Sequence, residues 1–527
     1  MASSAKIAQL SVQLEALLNV DVVSTRPISK SKFVEGLRCP KSLYLLVHHP
    51  ELAVKTDDPI AAQGITVGLL AQDAFPGGVS AAGTLFDASS SKVVSETKRL
   101  MADPNINVIY EAAFEADGVK IRTDILIRDD DGWVLIEVKA SNEIKPRYID
   151  DISLQGYIVR RSGVKLSRMV LMHLNKDYVY AGGRQDLGGL FVLVPEGPAW
   201  QAQPDSWVKA NLNQQFAILG QNEPPAVDCG GQCKKDGLEC GFYDHCHESL
   251  PQDNVAYTPI SSSNKWSKIA KLRAAGVASI QGIDPTTGFT PIEQGRVERA
   301  QAAFKADGPI VNDEIAGELA GLRFPLGFLD FESISHAIPQ VVGTSPWEVV
   351  PMQFSLHWIE EAGAPLQHSE FLAEADGTDP RVPFIEALLT ACEPLSKIVV
   401  YSPFESVQIK HLAKAFPEYA ERLLALVPKL WDLCETVKNC VYHPAFAGSY
   451  SIKNVLPALV PGMNYDGLAI ANGMDVFPAW EKLRLDRNLT FEERSQIRTD
   501  LLVYCCQDTL AMVRVLEVLV GRRGVDR

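Results

Sequence analysis

The stretch that most constrains the fold is an apolar run that ends in two carboxylates, Leu326-Gly327-Phe328-Leu329-Asp330-Phe331-Glu332. Such a run is typical of a buried strand, and the alternation of side chains along a strand places Asp330 and Glu332 on one face. Two carboxylates on one face repel each other unless a cation lies between them. The pattern predicts a solvated strand end or, if further acids join it, a cation site.

Two later segments supply further acids. Glu405 belongs to the pair Phe404-Glu405, which follows a second apolar run at residues 397–401. Tyr504 and Asp508 stand four residues apart in a helical segment, and this spacing places both side chains on one helix face. The three segments together supply the carboxylates that a cation site needs.

These segments resemble the three motifs of DnaQ-like 3′–5′ exonucleases of the DEDD class, tyrosine subtype. The resemblance implies an RNase H-like α/β domain over residues 321–527, with a mixed sheet and flanking helices, in which Tyr504 positions the attacking water. The acids that would hold two Mg²⁺ or Mn²⁺ ions are Asp330, Glu332, Glu405 and Asp508. Such hard cations take oxygen ligands and can stabilise both oxygens of a phosphodiester displacement. The family has aspartate where this chain has Glu405, and Asp432 is a second candidate acid for that place.

Length and charge limit the class of protein. The 527 residues exceed what one hydrophobic core normally serves, so several domains are expected. No apolar run reaches the roughly 18 residues of a membrane span, and the first residues lack a signal-peptide core, which predicts a cytoplasmic protein. A net charge of −15 argues against a nonspecific coat protein for nucleic acid but leaves a nuclease open. Residues 1–30 predict a helix and a short connection.

A second group of candidate residues lies within residues 106–140, which predict three strands. Asp129-Asp130-Asp131-Gly132 is a turn signal, so Asp124 lies on one arm of a hairpin and Glu137 and Lys139 lie on the other. The period of a strand places Glu137 and Lys139 on one face. Two acids beside a lysine can hold a metal ion and leave an ammonium group to orient hydroxide or offset phosphate charge. A plain cross-strand ion pair would use the same residues.

The hairpin resembles the core of PD-(D/E)xK nucleases of the RecB-like subfamily, with Thr123-Asp124 in place of Pro-Asp and Glu137-Val138-Lys139 as the E-x-K signature. The resemblance implies a restriction-endonuclease-like α/β domain over residues 1–250, with Lys139 as the catalytic lysine. Its metal ligands would be Asp124, Glu137 and the carbonyl of Val138.

Two residues of the next helical stretch extend this resemblance. Gln155 and Tyr157 match the glutamine and tyrosine that the subfamily uses near the substrate. The subfamily often carries a histidine on the glycine-bearing helix before the hairpin, and this chain has Gln72 there. By resemblance, Gln155 and Tyr157 are expected to act in catalysis.

The ten cysteines are unevenly placed. Five in the C-terminal third are expected to be small buried hydrophobes: Cys392, Cys434, Cys440, Cys505 and Cys506. The other five are Cys39, Cys229, Cys233, Cys240 and Cys246. Four of these fall within residues 229–246, and such a cluster in a cytosolic protein favours metal over disulfides. Zinc, an iron–sulfur cluster and free thiols are the alternatives.

One distant N-terminal cysteine with a later triplet resembles the RecB-like nucleases of CRISPR adaptation and helicase–nuclease complexes. In those proteins a 4Fe–4S cluster holds the nuclease domain closed. The resemblance implies four ligands, namely Cys39, Cys233, Cys240 and Cys246. Cys229 is then spare or an alternative ligand. Closing a loop of roughly 200 residues would restrict the unfolded chain substantially.

Residues 251–320 are interpreted as a helical linker or a unit similar to a helix–hairpin–helix. Lys453 precedes a helix and either contacts a phosphate or is solvated. The order of elements also resembles an uncharacterised bacterial domain family found behind RecB-like nuclease domains.

The expected function is a metal-dependent nuclease acting on nucleic acid, with single-stranded DNA favoured over RNA, in repair or defence against foreign DNA. The alternatives are a nucleic-acid-binding scaffold with one or both sites inactive, and an RNA-processing 3′–5′ exonuclease.

Overall fold

The computed structural model describes residues 27–54, 59–83, 91–235, 238–260 and 263–521. The helix predicted near the N-terminus falls on residues outside these ranges. The described chain forms two compact units of mixed α/β structure. The first runs to Val179 and resumes at Gly183–Glu248, and the second holds Tyr180–Gly182 and the described residues from Ser249 onward. Within these ranges, no helix combines the length and apolar character needed to cross a membrane.

The first unit is built on a seven-stranded mixed sheet. Its strands are β1 (Ile28–Ser29), β2 (Val79–Ser80), β3 (Val108–Ala116), β4 (Val119–Asp129), β5 (Gly132–Lys139), β6 (Leu166–Leu174) and β7 (Phe191–Pro195). The order is β2-β3-β4-β5-β6-β7, and β1 pairs in parallel with β4. β3, β4 and β5 are antiparallel neighbours, whereas β5 and β6 are parallel.

Helices flank this sheet. They are α1 (Lys30–Arg38), α2 (Pro40–His48), α3 (Pro59–Asp73), α4 (Ser91–Ala102), α5 (Pro146–Arg161), α6 (Leu187–Leu190), α7 (Asp205–Leu219) and α8 (Tyr243–Glu248). A two-stranded ribbon, β8 (Lys234–Lys235) with β9 (Leu238–Glu239), precedes α8. α2 and α5 begin with proline, whose fixed φ suits the first helical position. The core joins α1, β4, α5 and β6 through Phe33, Leu126, Ile152 and Leu171.

The hairpin predicted within residues 106–140 is confirmed as β4 and β5. Their register pairs Ile125 with Ile136, so Asp124 and Glu137 are the next residues along the two strands. The turn needs glycine at Gly132, where φ is +144° and a Cβ would lie 2.4 Å from the carbonyl oxygen of Lys165. The turn therefore fixes the register that brings the two acids together.

The second unit contains a five-stranded mixed sheet. Its strands are β11 (Leu326–Ser335), β12 (Val349–Ile359), β13 (Gln367–Leu372), β14 (Lys397–Val400) and β15 (Leu430–Asp432). The order is β13-β12-β11-β14-β15, with β11 antiparallel to β12 and parallel to β14. A separate pair is formed by β10 (Ile310–Val311) and β16 (Val441–Tyr442). The central strand is thus the one that carries the Asp-x-Glu motif.

The helices of this unit lie on both faces of the sheet. They are α9 (Lys265–Ala274), α10 (Pro291–Ala306), α11 (Ile315–Leu319), α12 (Arg381–Cys392), α13 (Phe404–Ala415), α14 (Ala420–Leu426), α15 (Leu433–Cys440), α16 (Ile452–Leu459), α17 (Gly473–Leu485) and α18 (Phe491–Gly521). Side chains of β11 alternate between two cores: Phe328 packs in the core that includes α18, and Leu329 and Phe331 pack in the core that includes α12. Asp330 and Glu332 therefore share the α18 face.

Helix α18 is the longest element of the described chain, with 31 residues. It begins where Thr490 and Glu493 form a reciprocal pair: the Thr490 N–H donates to Glu493 Oε2 at 2.8 Å, and the Glu493 N–H donates to Thr490 Oγ1 at 3.1 Å. This capping box satisfies N–H groups that the first turn leaves free. The helix then carries Tyr504 and Asp508 past the central strand.

Residues 251–320, interpreted from the sequence as a helical linker, lie in the second unit. Ile269 of α9 and Val297 of α10 pack in the same core as Phe328 of β11 and Leu516 of α18. Because these helices share that core, they contribute to the stability of the acid-bearing unit.

Candidate metal centres

Four acidic side chains of the second unit come from three elements. Asp330 and Glu332 lie on β11, Glu405 is the second residue of α13, and Asp508 lies in α18. Because β11 and β14 are parallel, the segment that follows β14 starts near the carboxyl end of β11. The backbone N–H of Phe331 hydrogen-bonds the Glu405 carboxylate, which places Glu405 beside the Asp-x-Glu motif. The structure thus brings all four predicted acids together.

The four acids are poorly compensated by positive charge: Lys453 is the cation that acts on Glu332 and Asp508. Burial and the charges of Asp508 and Glu332 raise the pKa of Asp330 well above its usual range. Burial likewise raises the pKa of Glu405 to about 8. Among the described residues, Glu405 Oε2 is buried without a hydrogen-bond partner. Mutually repelling, buried carboxylates with an orphaned oxygen are the donor set that Mg²⁺ or Mn²⁺ takes, so the residues fit divalent cations.

Two tyrosines and a lysine complete this site. Tyr465 donates its hydroxyl to Asp508 Oδ1 at 2.5 Å, and the Tyr504 hydroxyl hydrogen-bonds the same carboxylate. Lys453 Nζ donates to the carbonyl of Ala471 at 2.8 Å and lies 5.1 Å from the ring centroid of Tyr504. Its charge lowers the pKa of Asp508, which burial otherwise raises. Lys453 is therefore a member of the site rather than a solvated residue.

A cleft of about 460 Å³ opens over this group. Its lining includes Asp330, Tyr401, Tyr450, Lys453, Tyr504 and Asp508. The cleft gives a phosphate-sized group access to Asp330, Lys453 and Tyr504 at the same time.

Asp432, the second candidate acid, caps a helix. It ends β15, and its Oδ1 accepts the N–H of Glu435 at 3.2 Å, which caps the start of α15. Its charge still reaches Glu405, whose pKa it helps to raise. Glu405 therefore supplies the carboxylate beside β11, and Asp432 serves as a helix cap.

Helix α18 is tied to the sheet on the side next to the acids. Oγ1 of Thr509 lies 2.8 Å from both His357 Nδ1 and Ser355 Oγ. His368 stands opposite His357 in the β12–β13 register. The ligand atoms of His357, His368 and Cys506 lie within 4.8 Å of one another, so this group can also hold a metal ion. The two histidines were not singled out from the sequence, because the cross-strand register brings them together and the packing of α18 brings Cys506 to them.

The candidate site of the first unit is a network of buried acids and lysines. Lys139 Nζ donates to Glu137 Oε1 at 2.7 Å and also to Asp151 Oδ2. Lys30 Nζ donates to Glu137 Oε1 at 2.8 Å. Gln155 Nε2 donates to Glu137 Oε2 at 2.7 Å and to Asp151 Oδ1 at 3.0 Å. Glu137 therefore lies at the centre of the network.

Asp124 completes the site from the other arm of the hairpin. Its Oδ2 accepts the N–H of Val138 at 2.6 Å; the carbonyl of Val138 is the group predicted as a ligand. Burial and the neighbouring Glu137 raise the pKa of Asp124 to about 7. Burial also opposes the charge of Glu137, but Lys139 and Lys30 outweigh it and hold the pKa of Glu137 well below its usual range. A carboxyl group with a raised pKa beside an ionised carboxylate is an arrangement that a divalent cation would stabilise. Asp124 and Glu137 therefore fit a cation between them.

Tyr157 does not reach this network. Its hydroxyl donates to Asp117 Oδ2 at 2.5 Å, and Arg161 donates to the same carboxylate. Tyr157 follows Gln155 by two residues, so it points to the other side of α5. The structure therefore places Gln155 with the acids and Tyr157 in a separate ion-paired group near the β3–β4 turn.

Two members of the network were missed from the sequence. Asp151 stands four residues before Gln155, and that spacing on a helix is a signal that would have found it. Lys30 lies 107 residues before Glu137 and carries no local signal. Only the fold brings it to the site.

All five clustered cysteines line one small pocket of the first unit. They are Cys39, Cys229, Cys233, Cys240 and Cys246. The thiol of Cys229 hydrogen-bonds both Cys233 and Cys246, so it belongs to the same group of thiols. The ligand atoms of Cys229, Cys233 and His247 lie within 4.8 Å of one another and can hold a metal ion. The pocket thus offers more soft ligands than a four-thiolate site needs.

Comparisons with known proteins cover part of the chain. Residues 327–451 match a family described as a domain of unknown function (DUF2779). That segment includes Asp330, Glu332 and Glu405 and ends before α18 begins. The uncharacterized protein UU173 of Ureaplasma parvum serovar 3 is 26% identical over 219 residues, which cover 37% of this chain and 31% of that protein. The chain therefore matches less than a third of the length of this relative.

Proposed function

We propose that this protein is a metal-dependent nuclease that hydrolyses phosphodiester bonds of nucleic acid, with single-stranded DNA as the favoured substrate. The observation that supports it best is the cluster of Asp330, Glu332, Glu405 and Asp508, whose buried carboxylates raise one another's pKa and outnumber the charge of Lys453. The mixed sheet with helices on both faces agrees with the proposed RNase H-like fold. Divalent cations held by these acids would supply activation of water and neutralisation of phosphate charge.

The protein's own groups would orient the reactants in this site. Tyr504 would position the attacking water, because its hydroxyl lies beside Asp508 and lines the cleft. Lys453, also on the cleft wall, would bind a non-bridging phosphate oxygen. Tyr465 would hold the Asp508 carboxylate in place.

Tyr465→Phe is expected to lower the cleavage rate of the second unit by about 10–100-fold, because a partner that orients a metal ligand is removed. The fold should lose only about 1 kcal/mol, the usual contribution of one hydrogen bond. Single-turnover cleavage of a labelled oligonucleotide measures the rate. Tyr419→Phe is the matched control, since its hydroxyl bonds Glu386 on the surface at 2.9 Å. Equal rates for the two variants would contradict the role of Tyr465.

The first unit is proposed to be a RecB-like PD-(D/E)xK nuclease domain. Asp124 and Glu137 would hold the metal, Lys139 would act as the catalytic lysine, and Gln155 would position Glu137. Repair or defence against foreign DNA in the cytoplasm is the proposed setting, and it rests on association with that family alone.

A 4Fe–4S cluster is proposed for the cysteine pocket. Thiolates are the ligands of such clusters, and Cys39 brings a residue of the N-terminal region to the later cysteines. Cys39, Cys233, Cys240 and Cys246 are the proposed ligands. Cys229, which hydrogen-bonds Cys233 and Cys246, is the alternative to one of them.

Cys240→Ser is expected to remove an absorbance band near about 400 nm from anaerobically purified protein. It should also destabilise the first unit by about 5 kcal/mol, since a cross-link closing a loop of roughly 200 residues is worth that much. Absorbance and calorimetry measure the two effects. Cys434→Ser, in the second unit, should keep the band. A colourless wild-type protein that contains zinc would contradict the iron–sulfur cluster.

The proposed activity is tested with end-labelled single-stranded DNA and RNA of one sequence, incubated with wild-type protein in Mn²⁺ and in EDTA. Cleavage of the DNA in Mn²⁺ and none in EDTA is the expected result. Preference for the RNA would favour an RNA-processing exonuclease. No cleavage of either strand by metal-loaded protein would leave a nucleic-acid-binding scaffold as the better account.

A further inference from the structure

Two lysines converge on one carboxylate oxygen in the first unit. Lys139 and Lys30 both donate to Glu137 Oε1, at 2.7 and 2.8 Å. Their like charges repel each other, which makes the arrangement costly as a purely structural ion pair. Lys139 alone already donates to both Glu137 and Asp151, so neither carboxylate would lose its last ammonium contact without Lys30. A second ammonium at this place needs another explanation.

The charge of the site provides one. With all three acids ionised, as a bound cation would keep them, Asp124, Glu137 and Asp151 carry one negative charge more than Lys30 and Lys139 neutralise. One divalent cation would leave the site with a single positive charge, which matches the single negative charge of a phosphodiester. Without Lys30 the cation-loaded site would be neutral and would no longer attract that group.

The Lys30 side chain is also the more exposed of the two. Its side chain is 28% exposed, whereas that of Lys139 is 16% exposed. Lys139 is held by two carboxylates at short range, whereas Lys30 bonds Glu137 and lies 3.9 Å from Asp151. Lys30 can therefore turn to an arriving anion while Lys139 keeps the acids paired.

The backbone fixes where Lys30 stands. It is the first residue of α1, whose start is capped by the Ser29 side chain. At the other end of α1, Arg38 donates to the carbonyl oxygens of Gln232 and Cys233 at 2.6 and 3.0 Å. The helix is thus held at both ends, between the acids and the cysteine segment. A residue placed this way is preorganised for binding.

We propose that Lys30 is a phosphate-binding residue of this site, which contacts the scissile or neighbouring phosphate of a single strand beside Lys139. The inference deepens the nuclease proposed above and rests on it for the identity of the anion. Lys30 moves from Glu137 to the phosphate when the cation takes its place on that carboxylate.

The test uses the full chain carrying Asp508→Ala, which removes cleavage by the second unit. In this parent, Lys30→Ala, Lys30→Arg and Lys32→Ala are compared by kcat/KM for single-stranded DNA in Mn²⁺ over a range of salt concentration. Lys32 lies two residues on in α1, on the other side of the helix. The same proteins are examined by fluorescence anisotropy with the same strand in Ca²⁺, as a binding measurement independent of cleavage.

Lys30→Ala is expected to lower kcat/KM by about 10–100-fold, the usual value of a charged hydrogen bond. The slope of log kcat/KM against log salt should become shallower by about 0.7, the value for one phosphate contact on a single strand. Lys30→Arg should keep the parent slope, and Lys32→Ala should match the parent in both quantities. An unchanged slope in Lys30→Ala would overturn the inference and leave Lys30 as a structural ion pair.

The two proposals fail in different ways. If the parent cleaves nothing, the nuclease assignment of the first unit fails, and anisotropy in Ca²⁺ then decides the role of Lys30. A shallower salt dependence of binding in Lys30→Ala would still support a phosphate contact. Identical binding by parent and Lys30→Ala would overturn it.

Discussion

Asp330→Asn is expected to abolish metal-dependent cleavage by the second unit, with a loss of about 10³-fold or more, because it removes a charged oxygen that would hold a cation. The same change should stabilise the metal-free chain. Asp330 lies among buried acids that raise its pKa, so a neutral side chain of the same shape relieves their repulsion. Loss of activity with a gain in metal-free stability is a combination that damage to the fold does not produce.

Cleavage kinetics and thermal unfolding in EDTA and in Mn²⁺ measure both effects. The melting temperature of Asp330→Asn should rise in EDTA by a few degrees, since 1 kcal/mol corresponds to about 2–4 °C for a unit of this size. Mn²⁺ should stabilise the wild type and leave the variant nearly unchanged. Asp313→Asn, an exposed acid of the same unit, is the control and should behave as wild type. Equal Mn²⁺ stabilisation of Asp330→Asn and wild type would refute the proposed ligand role.

Lys139→Ala is expected to remove cleavage by the first unit and to destabilise that unit by about 3 kcal/mol. Glu137 and Asp151 are buried, and loss of their shared ammonium leaves charge poorly compensated, which typically costs about 3–5 kcal/mol. Lys30 still reaches Glu137, so the lower end of that range applies. Calorimetry should show the first unit melting roughly 6–12 °C lower, with the second unit unaffected.

Lys165→Ala provides the matched control for this lysine. Lys165 pairs with Asp131 at 3.6 Å, and both side chains are largely exposed. Surface pairs of this kind contribute about 0–1 kcal/mol, so activity and stability should stay close to wild type. A Lys139→Ala protein as stable as this control would mean that Glu137 and Asp151 do not need the ammonium.

Local spacing was sufficient to predict which residues share a face within one element, whereas Glu405 was predicted from the resemblance to the exonuclease motifs. A period of two along β11 places Asp330 and Glu332 on the same face, and a spacing of four on α18 does the same for Tyr504 and Asp508. The turn residues predicted the β4–β5 hairpin, and the hairpin in turn predicted that Asp124 and Glu137 lie close together. Each of these signals lies within one element or one turn, where sequence and geometry are directly related.

The remaining partners are set by packing between distant segments. Lys30 and Glu137 are separated by 107 residues, and Tyr465 and Asp508 by 43. The periodicity of apolar residues along the sequence does not predict which loop will pack against which helix. The different placement of Gln155 and Tyr157 has the same origin, because helix direction decides which of two nearby residues faces the site.

The most direct measurement of the central proposal is Mn²⁺-dependent degradation of end-labelled single-stranded DNA by four proteins: wild type, Lys139→Ala, Asp508→Ala and the double variant. The wild type should cleave the strand, and the double variant should be inactive. The two single variants then show which unit carries each part of the activity. A double variant that cleaves as fast as wild type, or a metal-loaded wild type that cleaves nothing, would contradict a nuclease built on these two groups of acids.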